Sequence, residues 1–170
     1  KGGKKAPRVQ LMGSGTILRE VIAAAELLDQ DFGVASDVWS CPSFTELRRD
    51  GMEAARWNLL HPEAAPRVPH IAKCLDKRVG PAVVATDYMR IFAEQVRPYV
   101  DRRYTVLGTD GFGRSDTREQ LRRFFEVNRF YVVVAALKSL ADEGTIPAVT
   151  VTQAIRKYQI DPEKAAPWRV

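Results

Sequence analysis

The period of hydrophobic positions changes along the chain, and each change marks an element. Val9-Gln-Leu-Met12 is a short apolar run closed by Gly13-Ser-Gly15, which predicts a strand and a turn. From Thr16 to Asp31, Ile17, Leu18, Val21, Ile22, Ala25 and Leu28 recur at helical spacing and predict one apolar helix face. Gly33 follows where a left-handed cap is needed. Val34 to Cys41 reads as a second strand. A strand, helix and strand of these lengths imply parallel pairing.

Pro42 ends that strand, and Ser43-Phe-Thr-Glu46 has the form of a capping box. A short helix to Arg49 is expected, stopped by Asp50-Gly51, then a second helix from Met52 to Leu60. Pro62, Pro66 and Pro69 make residues 61–69 irregular. His70 to Lys77 predicts a helical turn, and Ala82 to Thr86 a third strand. Asp87 is placed to cap a helix from Tyr88 to Arg97, with Met89, Phe92, Ala93 and Val96 inward. Tyr104 to Thr109 is the fourth strand. Asp116, with Glu119 three residues on, predicts a cap for a helix to Phe125.

Tyr131 to Leu137 is ambiguous. Its β-propensity favours a strand. Asn128 sits at a cap position, however, and Leu137, Leu140 and Ala141 carry the pattern on to Gly144. That length, about 15 residues, predicts a buried helix. Thr152 to Tyr158 is a last helix before a tail opened by Asp161-Pro162. Strands alternating with helices predict an α/β domain with a mainly parallel sheet covered on both faces. A fifth strand is expected around Tyr99 or in the lead-in.

Composition narrows the picture. A chain of 170 residues, 45% hydrophobic and 28% charged, supports one globular domain with a real core. The net charge is +5, but 26 basic residues are interspersed with 21 acidic ones. Only Lys1 to Arg8 is one-sidedly basic, so it reads as a lead-in and 9–170 as the domain; no nucleic-acid partner is expected. Cys41 and Cys74 make no disulfide framework and, beside apolar residues, read as buried free thiols in a reducing compartment. The apolar run Phe130 to Leu137 falls far short of the roughly 20 residues a membrane span needs, so no membrane partner is expected. The start, Lys-Gly-Gly-Lys-Lys, without Met, reads as a segment of a longer polypeptide.

The candidate chemistry is thin. Gly13-Ser-Gly15 suggests a dinucleotide turn, but the place of the third glycine is Leu18 and Asp37 lies inside the second strand. A tight turn with close helix–sheet approach explains it better. His61 and His70 are the only histidines and lack further ligands for zinc. Ser115, His61 and Asp110 could be assembled into a triad, but no Gly-x-Ser-x-Gly elbow supports one. The stretch Asp110-Gly111-Phe112-Gly113-Arg114-Ser115-Asp116 lies between the fourth strand and a helix, where contacts gather in open α/β sheets. Its glycines turn the chain, and Ser115 or Asp116 caps the helix. Phe112 and Arg114 are left over: either they meet another domain or subunit, or Phe112 folds back into its own core.

Several of these segments carry a resemblance. Val9 to Leu18, Ser43 to Gly51, Arg56 to Pro62, Ala85 to Met89, Phe92 to Arg97, Val106 to Asp116 and Tyr131 to Leu137 resemble, in order, the C-terminal domain of the homodimeric, bacterial-type thiamine-diphosphate pyruvate dehydrogenase. The likeness covers nearly the whole chain; Lys1 to Pro7 and Asp142 to Thr152 are less distinctive. It implies a three-layer α/β/α, transketolase-like domain with a mixed, mostly parallel sheet of about five strands, one of them antiparallel. It implies that thiamine diphosphate and magnesium are bound by other domains of the parent enzyme, with no catalytic, cofactor or metal residue in this segment. It implies a homodimer partner, a dihydrolipoyl acetyltransferase component that receives the acetyl group, and a bacterial cytoplasm. The rival reading is an independent ligand- or nucleotide-binding regulatory module.

Overall fold

Four parallel strands lie in the order β2–β1–β3–β4 in a computed structural model that describes residues 6–170. They are β1 (Arg8–Gly13), β2 (Ala35–Ser40), β3 (Ala82–Ala85) and β4 (Tyr104–Leu107). β1 pairs with β2 from Arg8↔Ala35 to Gly13↔Ser40, and with β3 from Gln10↔Ala82 to Gly13↔Ala85. The chain steps outward from β1 to β2 and then returns across β1 to β3. The order therefore reverses between β1 and β3.

The helices are α1 (Leu18–Phe32), α2 (Phe44–Leu60), α3 (His70–Leu75), α4 (Arg90–Glu94), α5 (Arg118–Phe124), α6 (Arg129–Asp142) and α7 (Ala148–Lys157). Alternation along the strands makes two cores. Val9, Leu11, Val83 and Ala85 face α1, α6 and α7, where Val21, Leu28, Val133, Leu137 and Ala154 meet them. Met12, Ala82, Val84, Tyr104 and Val106 face the other way, against Phe44 of α2, Ile71 and Leu75 of α3, and Ala93 of α4. β3 is buried on both faces, so all four of its residues are apolar. The three layers are those expected.

Several local signals hold. Gly33 takes a left-handed conformation (φ 62°) and its N–H donates to the Asp29 carbonyl. The Ser43 hydroxyl accepts from the Glu46 N–H at 3.2 Å. Asn128 accepts from both the Phe130 and Tyr131 N–H groups and starts α6, so Tyr131 to Leu137 is helix. Val132, Val133, Ala136, Leu137 and Leu140 form its buried stripe.

Other expectations are corrected. The sheet among the described residues is wholly parallel with four strands; the antiparallel fifth is not found there, and Tyr99 lies in a 3-10 turn, Arg97–Tyr99. Gly51 does not stop a helix. It is buried in the middle of the continuous α2, where a Cβ would come within 2.4 Å of the Tyr99 ring. The Glu46 carboxylate pairs with Arg49 at 3.0 Å rather than serving the capping box. On α1, Ile22 points to solvent and Glu20 is buried in the apolar stripe. The lead-in lies mostly outside the described residues, and Arg8 already belongs to β1, paired with Asp37 at 2.9 Å. The helix from Tyr88 to Arg97 is only the five residues of α4 and is not capped by Asp87. Ala93 and Val96 point inward, but Met89 and Phe92 are exposed.

Candidate functional site

The segment after β4 is laced to the segment after β3. The Thr109 N–H donates to the Tyr88 carbonyl at 3.0 Å, and its hydroxyl donates to the Asp87 carbonyl at 2.8 Å. Asp110 accepts from the Arg90 N–H at 3.1 Å and pairs with Arg90 Nε at 3.3 Å. Gly108 lies so near this strand of chain that a Cβ would sit 2.8 Å from the Arg90 nitrogen. Asp110 is therefore a tether and not a free carboxylate.

Gly111 has φ 118°, which disfavours any side chain, and a Cβ there would strike the Pro167 carbonyl oxygen at 2.5 Å. The 3-10 turn Pro167–Arg169 lies against it, and the Arg90 guanidinium stacks 4.6 Å from the Trp168 ring. Phe112 follows and is 83% exposed, so it does not fold back into the core. On α4 and its approach, the segment to which the loop is tethered, Tyr88, Met89, Ile91 and Phe92 are exposed too, with the Tyr88 and Phe92 rings 5.7 Å apart. Several large apolar groups thus face solvent at one end of the sheet, an arrangement typical of contact surfaces.

Arg114 finds an aromatic partner instead of a carboxylate: its guanidinium lies 4.2 Å from the Phe124 ring. The cap of α5 is Thr117, whose hydroxyl accepts from the Gln120 N–H at 3.3 Å. Asp116 only accepts from the Thr117 N–H at 2.7 Å, and Ser115 makes no cap. Of the seven loop residues, then, Asp110 and Gly111 fix the loop, Arg114 braces its far end, and Phe112 is presented outward.

A crevice of about 390 Å³ opens beside this loop, where the strand order reverses. Thr16, Asp87, Thr109, Arg114, Arg118 and Arg122 line it. In the 3-10 turn Gly15–Ile17 that leads into α1, the Thr16 hydroxyl donates to the Asp87 carboxylate at 3.4 Å, so a negative charge already stands beside this turn. Gly13 is the expected close approach: a Cβ there would meet Leu18 Cα at 2.9 Å. Ser14 shares a hydrogen bond of 2.8 Å with Thr86. The turn is thus built for packing.

The histidines stay apart from the loop's polar groups. His61 stacks on Trp57 at 4.5 Å and bonds its carbonyl at 2.8 Å. With His61 and Asp110 each engaged elsewhere, the triad is not assembled. His70 instead faces Cys74 on α3 at 3.4 Å. Among the described residues no group of three His, Cys, Asp or Glu could hold a metal. No helix among them is long and apolar enough to cross a membrane.

Sequence patterns did not reveal the buried ion cluster behind the crevice. Glu20 accepts from Arg122 Nη1 at 3.0 Å, and from the backbone N–H, Nε and Nη2 of Arg129 at 3.0, 3.0 and 3.1 Å. Burial pushes the Glu20 carboxyl up, but these bonds and charges outweigh it and leave it below the usual carboxylate range. The one available signal was a glutamate at a position the helical period assigns to the core.

Comparison with known proteins places the chain. The family model for the transketolase-like TK C-terminal domain matches residues 1–128. The chain is 64% identical over 165 residues to the pyruvate dehydrogenase E1 component of Cupriavidus necator, with 97% of this chain covered. It is 58% identical to those of Pseudomonas aeruginosa and Escherichia coli, with 95% and 94% covered. In each case it spans only 18% of the relative's length. A solved structure described as a split gene transketolase, inactive beta4 tetramer, shares the fold at TM-score 0.55. The two are 19% identical, over 80% of this chain and 40% of that one.

Proposed function

The chain belongs to the family of transketolase-like C-terminal domains, and from that premise we propose that it is the structural and interface domain of a pyruvate dehydrogenase decarboxylating component. The whole enzyme, an oxidoreductase of the bacterial cytoplasm, would decarboxylate pyruvate on thiamine diphosphate with magnesium. It would then pass the acetyl group to the lipoyl arm of a dihydrolipoyl acetyltransferase. The thiamine diphosphate and the metal belong, in this reading, to other parts of the longer chain. The residues here do not fit them: the Asp87 carboxylate beside the turn before α1 would repel a diphosphate, and no metal-ligating group of three stands among the described residues. This domain's part is to cover and brace the catalytic domains and to help form a homodimer.

The observation that carries the reading is Phe112, presented to solvent on a loop that Asp110 and Gly111 fix, Asp110 through its bond to α4, whose own Ile91 and Phe92 are exposed. An exposed aromatic on a pre-set loop loses little conformational entropy when another surface covers it. Phe112→Ala, alone and with Arg114→Ala, is expected to weaken assembly or activity of the full-length enzyme and leave this domain folded. Full tolerance of both by the enzyme would reduce the loop to a turn. The 170-residue chain alone, given thiamine diphosphate and pyruvate, is expected to release no carbon dioxide. Measurable decarboxylation would overturn the assignment.

The arginine-lined crevice favours the rival regulatory reading. A small anion or nucleotide that raises the melting temperature of the chain, with the gain lost in Arg118→Ala, would support it over the structural one.

A further inference from the structure

A larger cavity lies on the other face of the sheet, among α2, α3 and the end of β2. It measures about 640 Å³, and Met12, Trp39, Leu47 and Ile71 give it apolar walls. Cavities of roughly 300–1,000 Å³ admit small molecules. Cys41, Cys74 and His70 line the same space.

The two thiols differ. Cys74 is half-buried, with its Sγ 3.4 Å from His70 Nε2 one helical turn away. The first turn of α3 is pinned by the His70 N–H, which donates to Asp50 at 2.6 Å. Cys41 is buried, and burial first, then the nearby Cys74, pushes its thiol up to about 11. One sulfur is thus reachable with a proton acceptor at hand, and the other is enclosed and protonated. Oxidation-sensitive cysteines have this arrangement: an accessible thiol with a second thiol near it.

We propose that Cys74 is a site of reversible oxidation by hydroperoxides, with His70 accepting its proton and Cys41 resolving the oxidised sulfur. In the first step the Cys74 thiolate attacks the terminal, hydrogen-bearing oxygen of the hydroperoxide, leaving Cys74 as the sulfenic acid. The S–O bond forms and the O–O bond breaks. The leaving alkoxide or hydroxide takes the proton from His70, so sulfur is oxidised by two electrons and the peroxide is reduced to alcohol or water. In the second step Cys41 loses its thiol proton and attacks the sulfenic sulfur. The S–S bond forms, the S–O bond breaks and water leaves. A disulfide needs the two Cα atoms within about 7 Å. α3 is six residues long with irregular segments on both sides, so it is the wall of the cavity that would supply any movement the bond requires.

The test uses the full-length protein carrying this chain, treated with hydrogen peroxide with and without dimedone and then mapped by peptide mass spectrometry. Wild type is expected to yield a Cys41–Cys74 pair lighter by two hydrogens and restored by dithiothreitol. Cys41→Ser should accumulate the dimedone adduct on Cys74, and Cys74→Ser should show neither product at Cys41. His70→Gln should slow Cys74 oxidation at neutral pH, with the rate recovered as the pH is raised. A sulfenic acid that persists in wild type without the Cys41 link would overturn the pairing, and an unchanged pH profile in His70→Gln would remove the histidine's role. If both sulfurs stay untouched in the folded protein yet react once it is unfolded in guanidinium, the site itself is refuted.

Discussion

Glu20→Gln tests the ion cluster that joins α1 to α6. The substitution keeps the volume and removes the charge. The carboxylate side chain is 6% exposed and receives four hydrogen bonds, three of them from Arg129. Breaking a fully buried ion pair costs about 3–5 kcal/mol. Here the Arg122 and Arg129 side chains are 23% and 44% exposed, so water recovers part of their solvation. Glutamine also retains one acceptor for the Arg129 N–H. The loss should therefore be about 2–3 kcal/mol, near the value of one or two charge-assisted hydrogen bonds. For a domain of this size that lowers the melting temperature by roughly 5–10 °C. The pH dependence has a defined sign. The folded carboxyl lies below its ordinary value, so its contribution is complete above the unfolded pKa and is lost as pH falls through the folded one. Calorimetry of wild type and Glu20→Gln should show the full gap above about pH 5 and a narrowing gap below about pH 4. Equal melting at neutral pH, or a gap that persists in acid, would refute this account.

Gly51→Ala gains about 0.5–1 kcal/mol of helix propensity but drives a methyl into the Tyr99 ring; overpacking costs about 1–3 kcal/mol, so urea unfolding should show a net loss. Gly111→Ala combines a strained φ with a clash on the Pro167 carbonyl, and hydrogen exchange should rise at 108–112 and 167–169 while the sheet stays protected. Asn128→Ala removes a cap that accepts twice, at a cost of about 1 kcal/mol in denaturant titration.

The layers, strand positions and most helix ends were legible because they follow from periodicity and local capping: Gly33, Ser43 and Asn128 act within a few residues of themselves. What escaped depends on partners far along the chain. Gly51 looks like a stop until Tyr99 is seen packed against it. Asp87 looks like a cap, but its carbonyl accepts from Thr109 and its carboxylate from Thr16. Met89 and Phe92 have the composition of a core and lie outside it, because the short α4 turns Ala93 and not Phe92 toward the sheet. The loop 110–116 was identifiable by its glycines and its place after β4. That Asp110 is a tether, that Arg114 pairs with an aromatic ring and that Thr117 is the cap are matters of three-dimensional neighbourhood. The resemblance to pyruvate dehydrogenase C-terminal domains rested on long motifs in order, which is why it located the family where isolated residues could not.

The position of β1 has a consequence for how the molecule is made. It comes first among the strands yet lies inside the sheet, between β2 and β3. A chain emerging from the ribosome must reach Ser40 before one edge of β1 is paired, and Ala85 before the other is. Its outer cover arrives later still, since Glu20 waits for Arg129 across 109 positions. Until then the apolar face of α1 and of the sheet beneath it lacks its cover, and Glu20 lacks its counter-charges. Such long-range pairing is slow and exposes sticky intermediates. Nascent chains stalled between Ala85 and Arg129 should therefore be the forms most engaged by chaperones, and most prone to aggregate when none is present.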